Sequence, residues 1–137
     1  MLLVFLMMWY WSPPSDARTL TVPVYDAKSE WMTEELKSLV VATAQNRGLK
    51  VQKFLATAEC EVKKRPDNSW DYKAQSDHIS GNKRENSWGL WQINLDWNPD
   101  VTKEQAQDPI WSTEWAAHEW TNGNAFLWSC YNILYGK

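Results

Sequence analysis

The sequence predicts one mainly α domain of the α+β kind, in which helices flank a long polar insertion. Three observations predict it. Apolar residues recur at three- and four-residue spacing in two stretches before residue 63 and again after residue 108. Lys63 to Asn86 between them is polar and turn-rich, with Pro66, Asp67, Asn68, Gly81 and Asn82. A length of 137 residues fits a single domain that buries its own core.

The first helix is read over Ser29–Asn46, where Met32, Leu36, Leu39 and Val40 share a face and Gly48 is the stop. In the second, Val51, Phe54, Leu55, Ala58 and Val62 repeat at the same spacing, so it runs to about Val62. The insertion is expected to be a long irregular loop or a small hairpin, and long loops of that kind in compact domains tend to be functional. Thr102 with Gln105 makes a capping box over a short segment. Asp108 followed by Pro109 opens another helix, which stacks Trp111, Trp115 and Ala116 and ends at Gly123. The apolar run Ala125–Tyr135 reads as the last helix, closed by Gly136.

Composition excludes some functions. The net charge of −3 offers no basic face, so nucleic acid is not an expected partner. Eleven of the 137 residues are tryptophan. Most are expected in the core, with a few left to line a groove. Trp pairs a broad apolar face with one N–H donor, which suits sugar rings.

The first eleven residues, MLLVFLMMWYW, are apolar but too few to cross a bilayer as a helix. They resemble the apolar part of a secretory signal, although no Lys or Arg precedes them and no small-x-small site follows. The stretch after them contains Pro13, Pro14 and Pro23 and reads as an extended linker. Residues 1–28 are therefore expected to be a targeting segment plus linker, giving an exported protein, periplasmic or cell-wall associated. As a membrane anchor the segment is interfacial at best. The domain proper is expected over residues 29–137, as a monomer.

Glu59 and Glu61 close the second helix on opposite sides of its apolar stripe. A carboxyl group at a helix end beside a groove is partly desolvated, which raises its pKa toward that of a general acid. Helix-end glutamates are more often simply solvated, so the helix alone does not settle a role. Further on, Ser87, Gly89, Leu90, Gln92, Ile93 and Asn94 stand in the stretch NSWGLWQIN, with Trp88 and Trp91 between them. Near the C-terminus stand Trp128, Ser129, Tyr131 and Asn132.

These three elements together resemble the lysozyme-like superfamily, and within it the lytic transglycosylases of the soluble, goose-type-lysozyme kind. The resemblance covers about residues 31–135. It rests chiefly on the Ser-x-Gly-Leu-x-Gln-Ile motif, which is intact here. The family places Ser directly after its catalytic glutamate; here Cys60 follows Glu59 and Val62 follows Glu61. Members with Cys before the glutamate favour Glu61 as the acid, with Glu59 the runner-up.

The resemblance implies an insertion lying beside an active-site groove. It implies cleavage of the β-1,4 bond between N-acetylmuramic acid and N-acetylglucosamine in peptidoglycan. One glutamate acts as acid and then base, and the sugar's 6-hydroxyl attacks to leave 1,6-anhydro ends, with no metal or cofactor. Ser87, Gly89, Leu90, Gln92, Asn94 and Tyr131 are the implied substrate-side residues. Gly89 is expected to let the backbone pass close under a sugar ring, and Trp88 and Trp91 to offer stacking faces. Because the helix-end and late-motif elements converge in the family, a Cys60–Cys130 disulfide is expected. Two alternatives remain: a hydrolytic muramidase, needing a second carboxylate such as Asp77, Asp96 or Asp100, and a peptidoglycan-binding module without activity.

Overall fold

A computed structural model describes residues 30–136, so the targeting segment and linker read at 1–28 lie outside it. Helix α1 spans Thr33–Asn46 and α2 spans Val51–Glu61. Two short antiparallel hairpins follow, β1 (Ile79–Ser80) with β2 (Lys83–Arg84), and β3 (Ser87–Trp88) with β4 (Ile93–Asn94). Then come α3 (Lys103–Gln107), α4 (Pro109–Thr121), a 3-10 turn over Ala125–Leu127, and α5 (Ser129–Tyr135). The chain is mainly helical with two small hairpins.

Helix α1 starts four residues later than its apolar spacing suggests. Met32 is extended, and its N–H donates to the Glu35 carboxylate at 2.9 Å, which satisfies one of the donors a helix start leaves free. The stop at Gly48 is as expected: its φ of +65° lies in the left-handed region that favours glycine. The capping box at Thr102 and Gln105 forms reciprocally, at 3.1 and 3.0 Å. The Asp108 carboxylate accepts from the N–H groups of Ile110 and Trp111, fixing the start of α4.

The last helix is not continuous. Trp128 is extended (ψ 124°) and divides the 3-10 turn from α5. Its indole turns inward, is 5% exposed, and donates from Nε1 to the Trp91 carbonyl at 3.0 Å. A helix running through Trp128 would carry that ring along its own surface. Burial of a large aromatic against Trp91 and Trp115 outweighs one turn of helix.

Helix α1 packs on α2 and α4, and α2 on α5. Their shared core holds Leu36, Val40, Phe54, Leu90, Trp91 and Trp128. Phe54 and Trp91 meet at 4.4 Å between ring centres, and the Trp91 indole donates to the Thr113 hydroxyl at 3.0 Å. Trp97, 84% exposed, is the one described tryptophan that stands clear of this core. The Cys60 and Cys130 sulfurs are bonded, tying the end of α2 to the start of α5.

Candidate active-site cleft

The end of α2, the start of α5 and the two hairpins enclose a cleft of about 1130 Å³. Glu61, Glu85, Ser87, Asn94, Trp97 and Trp115 are among the residues lining it. Glu61 is the last residue of α2, and the chain turns away at Val62, which is buried in the core. That turn leaves the Glu61 carboxyl facing the cleft. Its Oε1 accepts from the Cys130 N–H at 2.9 Å and lies 3.5 Å from the Ser129 hydroxyl. Removal from water pushes its pKa above the ordinary 4.5, against the opposing pull of the Cys130 and Ser129 hydrogen bonds; the Glu85 charge adds to the rise.

Glu59 takes the other side of α2. It is exposed, does not line the cleft, and sits 4.0 Å from the Lys37 ammonium. Of the two glutamates, only Glu61 opens on the cleft. Ser129, one residue from the disulfide, brings a hydroxyl to Glu61 that Val62 cannot supply.

The central motif folds as β3, a turn and β4, and most of its residues serve the fold. Three expectations for it need correction. Gly89 is not among the residues lining the cleft; it is buried with φ +83°, and a Cβ built on it would stand 1.8 Å from the Ala106 carbonyl oxygen. The glycine is required by the close approach of α3. Trp91 is fully buried and offers no stacking face, and Leu90 beside it is equally buried. Trp88 lies outside the cleft lining, with the Lys103 ammonium 3.9 Å from its ring centre and its own N–H donated to Asn86.

Gln92 does border the cleft, but its amide nitrogen is engaged by the backbone. With φ +47° it is a non-glycine residue in the left-handed region. Its Nε2 donates to the Gly89 carbonyl at 2.8 Å and the Ala74 carbonyl at 3.3 Å, holding the turn. Tyr131 is also away from the cleft lining. Its ring packs edge-on to Trp120 at 5.1 Å.

Ser87 and Asn94 line the cleft and both serve a residue that sequence reasoning passed over. The Ser87 hydroxyl donates to Glu85 Oε1 at 2.7 Å, and Asn94 Nδ2 to the same oxygen at 3.3 Å. The Ser76 hydroxyl lies 3.4 Å from Oε2. Glu85 thus sits half-buried in the cleft wall, while the carboxylates considered from the sequence are placed otherwise. Asp77 is exposed and engaged by Lys63 and Arg84. Asp100 does not reach the cleft. Asp96 lines it but is held at its rim by Asn86 and Lys83. Among the described residues no three His, Cys, Asp or Glu side chains cluster to hold a metal ion.

Compared with family models, curated proteins and solved structures, the chain matches none.

Proposed function

We propose that this protein cleaves the β-1,4 bond between N-acetylmuramic acid and N-acetylglucosamine in peptidoglycan, with Glu61 as the general acid. The observation that carries the reading is the Glu61 carboxyl, desolvated and hydrogen-bonded at the floor of a polar cleft. A carboxyl with a raised pKa keeps its proton closer to neutral pH, and donating it to the glycosidic oxygen is what bond cleavage requires. The Cys130 N–H then supports the carboxylate left behind. Trp97 and Trp115 give the cleft aromatic faces against which sugar rings stack.

The substrate is a wall polymer, so the protein acts outside the cytoplasm, as an exported monomer. Two routes break the same bond. In the transglycosylase route implied by the family resemblance, the sugar's 6-hydroxyl attacks and the ends are 1,6-anhydro. In the muramidase route water attacks and the ends are reducing. The test is to incubate the purified full chain with peptidoglycan and read released fragments by mass spectrometry, beside Glu61→Gln. Cleavage by the wild type and at least a hundredfold less by Glu61→Gln is expected. Glycan binding with no cleavage by either protein would replace the enzyme by a wall-binding module.

A further inference from the structure

Glu85 needs an explanation that the general acid does not provide. It stands in the segment between β2 and β3, and three side chains from separate parts of the chain converge on it. Ser87 comes from β3, Asn94 from β4 and Ser76 from the loop before β1. Ser87 and Asn94 are direct partners in the β3–β4 register, so the hairpin delivers both donors to one carboxylate oxygen. A solvated surface glutamate has no use for such a cradle. A carboxylate whose position matters does, because catalytic groups must be held by partners that are themselves fixed. Glu85 and Glu61 line the same cleft, close enough for the Glu85 charge to raise the proton affinity of Glu61.

Attack by the sugar's own 6-hydroxyl calls for no second protein carboxylate, whereas an inverting attack by water uses one as its base. We propose that Glu85 is the catalytic base of a hydrolytic site, activating the water that attacks the anomeric carbon. The inference rests on the glycan-cleaving reading above and names its outcome. Glu85 removes one proton from the water as its oxygen bonds to the anomeric carbon. The bond from that carbon to the leaving oxygen breaks, and the leaving oxygen takes the Glu61 proton. Glu85 ends protonated and Glu61 ionised, and exchange of one proton with solvent restores both. A single displacement of this kind turns the β bond into an α hemiacetal.

The experiment compares the full-length wild type with Glu85→Gln on peptidoglycan and on a soluble peptidoglycan oligosaccharide. Fragment ends are read by mass spectrometry and the first-formed anomer by proton NMR. The wild type is expected to release reducing ends, each one water heavier than an anhydro end, with the α anomer first. Glu85→Gln is expected to lose at least a hundredfold in kcat with KM within about threefold, the range general-base loss gives. Anhydro ends from the wild type would overturn the role of Glu85 and leave glycan cleavage by Glu61 standing, and this needs no variant to fold. The β anomer first would overturn the base role, since it demands two displacements. Wild-type kcat in a folded Glu85→Gln would also overturn it. No cleavage by the wild type would overturn the underlying reading together with this one.

Discussion

Removing the Cys60–Cys130 bridge should cost this protein both stability and activity, for separable reasons. The bridge closes a loop of 70 residues. In the chain-entropy treatment, cross-linking a loop of that size removes about 4 kcal/mol of freedom from the unfolded chain at 25 °C. Little else compensates at α5. Its Cys130 is buried, but Ile133 is 77% exposed and Leu134 46%, so the helix brings little apolar area to the core. For a domain of this size each kcal/mol moves Tm by roughly 3–5 °C, so Cys60→Ala/Cys130→Ala should melt roughly 12–20 °C lower. The second effect is local. Glu61 follows Cys60 in the chain, and the Cys130 N–H is its hydrogen-bond donor. Freed of the bridge, α5 no longer holds that donor in place. Activity on peptidoglycan, measured well below the variant's Tm, should fall by more than the loss of folded protein explains. Circular dichroism on heating gives the first quantity and a dye-release assay the second. A Tm drop under about 4 °C would refute the loop-entropy argument, being worth only about 1 kcal/mol. Unchanged specific activity in the folded variant would refute the positioning argument.

Gly89→Ala and Gly48→Ala form a matched pair: both glycines have positive φ, but only Gly89 has a backbone oxygen in the space of the new methyl. Gly48→Ala should cost about 1 kcal/mol and Gly89→Ala roughly 3 kcal/mol or more in urea unfolding; equal costs would place α3 farther from the motif than 1.8 Å implies. Glu61→Gln should match the wild type in Tm near pH 4, gain on it as pH rises through the raised Glu61 pKa, and keep a constant lead above it. The partly buried carboxyl has a folded pKa raised above 4.5, so its ionisation weakens folding as pH rises, and Gln escapes this; a pH-independent gap would mean the desolvation effect is absent. Glu59→Gln, on the exposed side of α2, should keep activity within about twofold, since surface substitutions of this kind are near neutral. Trp97→Ala should raise KM for glycan about tenfold with kcat nearly unchanged, as loss of one stacking face costs on the order of 1 kcal/mol; a fall in kcat alone would take Trp97 out of ground-state binding.

Elements whose signals are local were legible in the sequence. Helix α2, the Thr102–Gln105 box and the Asp108–Pro109 start depend on residues within one turn of each other, and each formed as its spacing predicts. Glu61 was legible only as one of two, because a helix end does not reveal which side carries the groove. What sets that side is distant: α5, brought over by the disulfide 70 residues later. The bend at Trp128 was hidden for a like reason. The run AFLWSCY is apolar enough for one helix, and only the packing of the indole against Trp91 and Trp115 interrupts it. Glu85 carried no signal of its own, being one more charged residue in a polar insertion; it stands out only through the partners that the fold delivers to it.

The central motif borders the cleft while most of its residues serve the fold. Gly89 admits α3, Leu90 and Trp91 fill the core, and Gln92 spends its amide on two carbonyls to hold a left-handed turn. None of these needs to touch a ligand. Each fixes the β3–β4 hairpin, and the register of that hairpin sets Ser87 beside Asn94. The same hairpin buries Ser87 almost completely, so its hydroxyl is aimed at Glu85 with little freedom to turn elsewhere. The requirement for a small polar residue at 87 and an amide at 94 is then a requirement for holding one carboxylate. The motif is therefore a scaffold with two polar ends, and the carboxylate they hold lies two residues outside it.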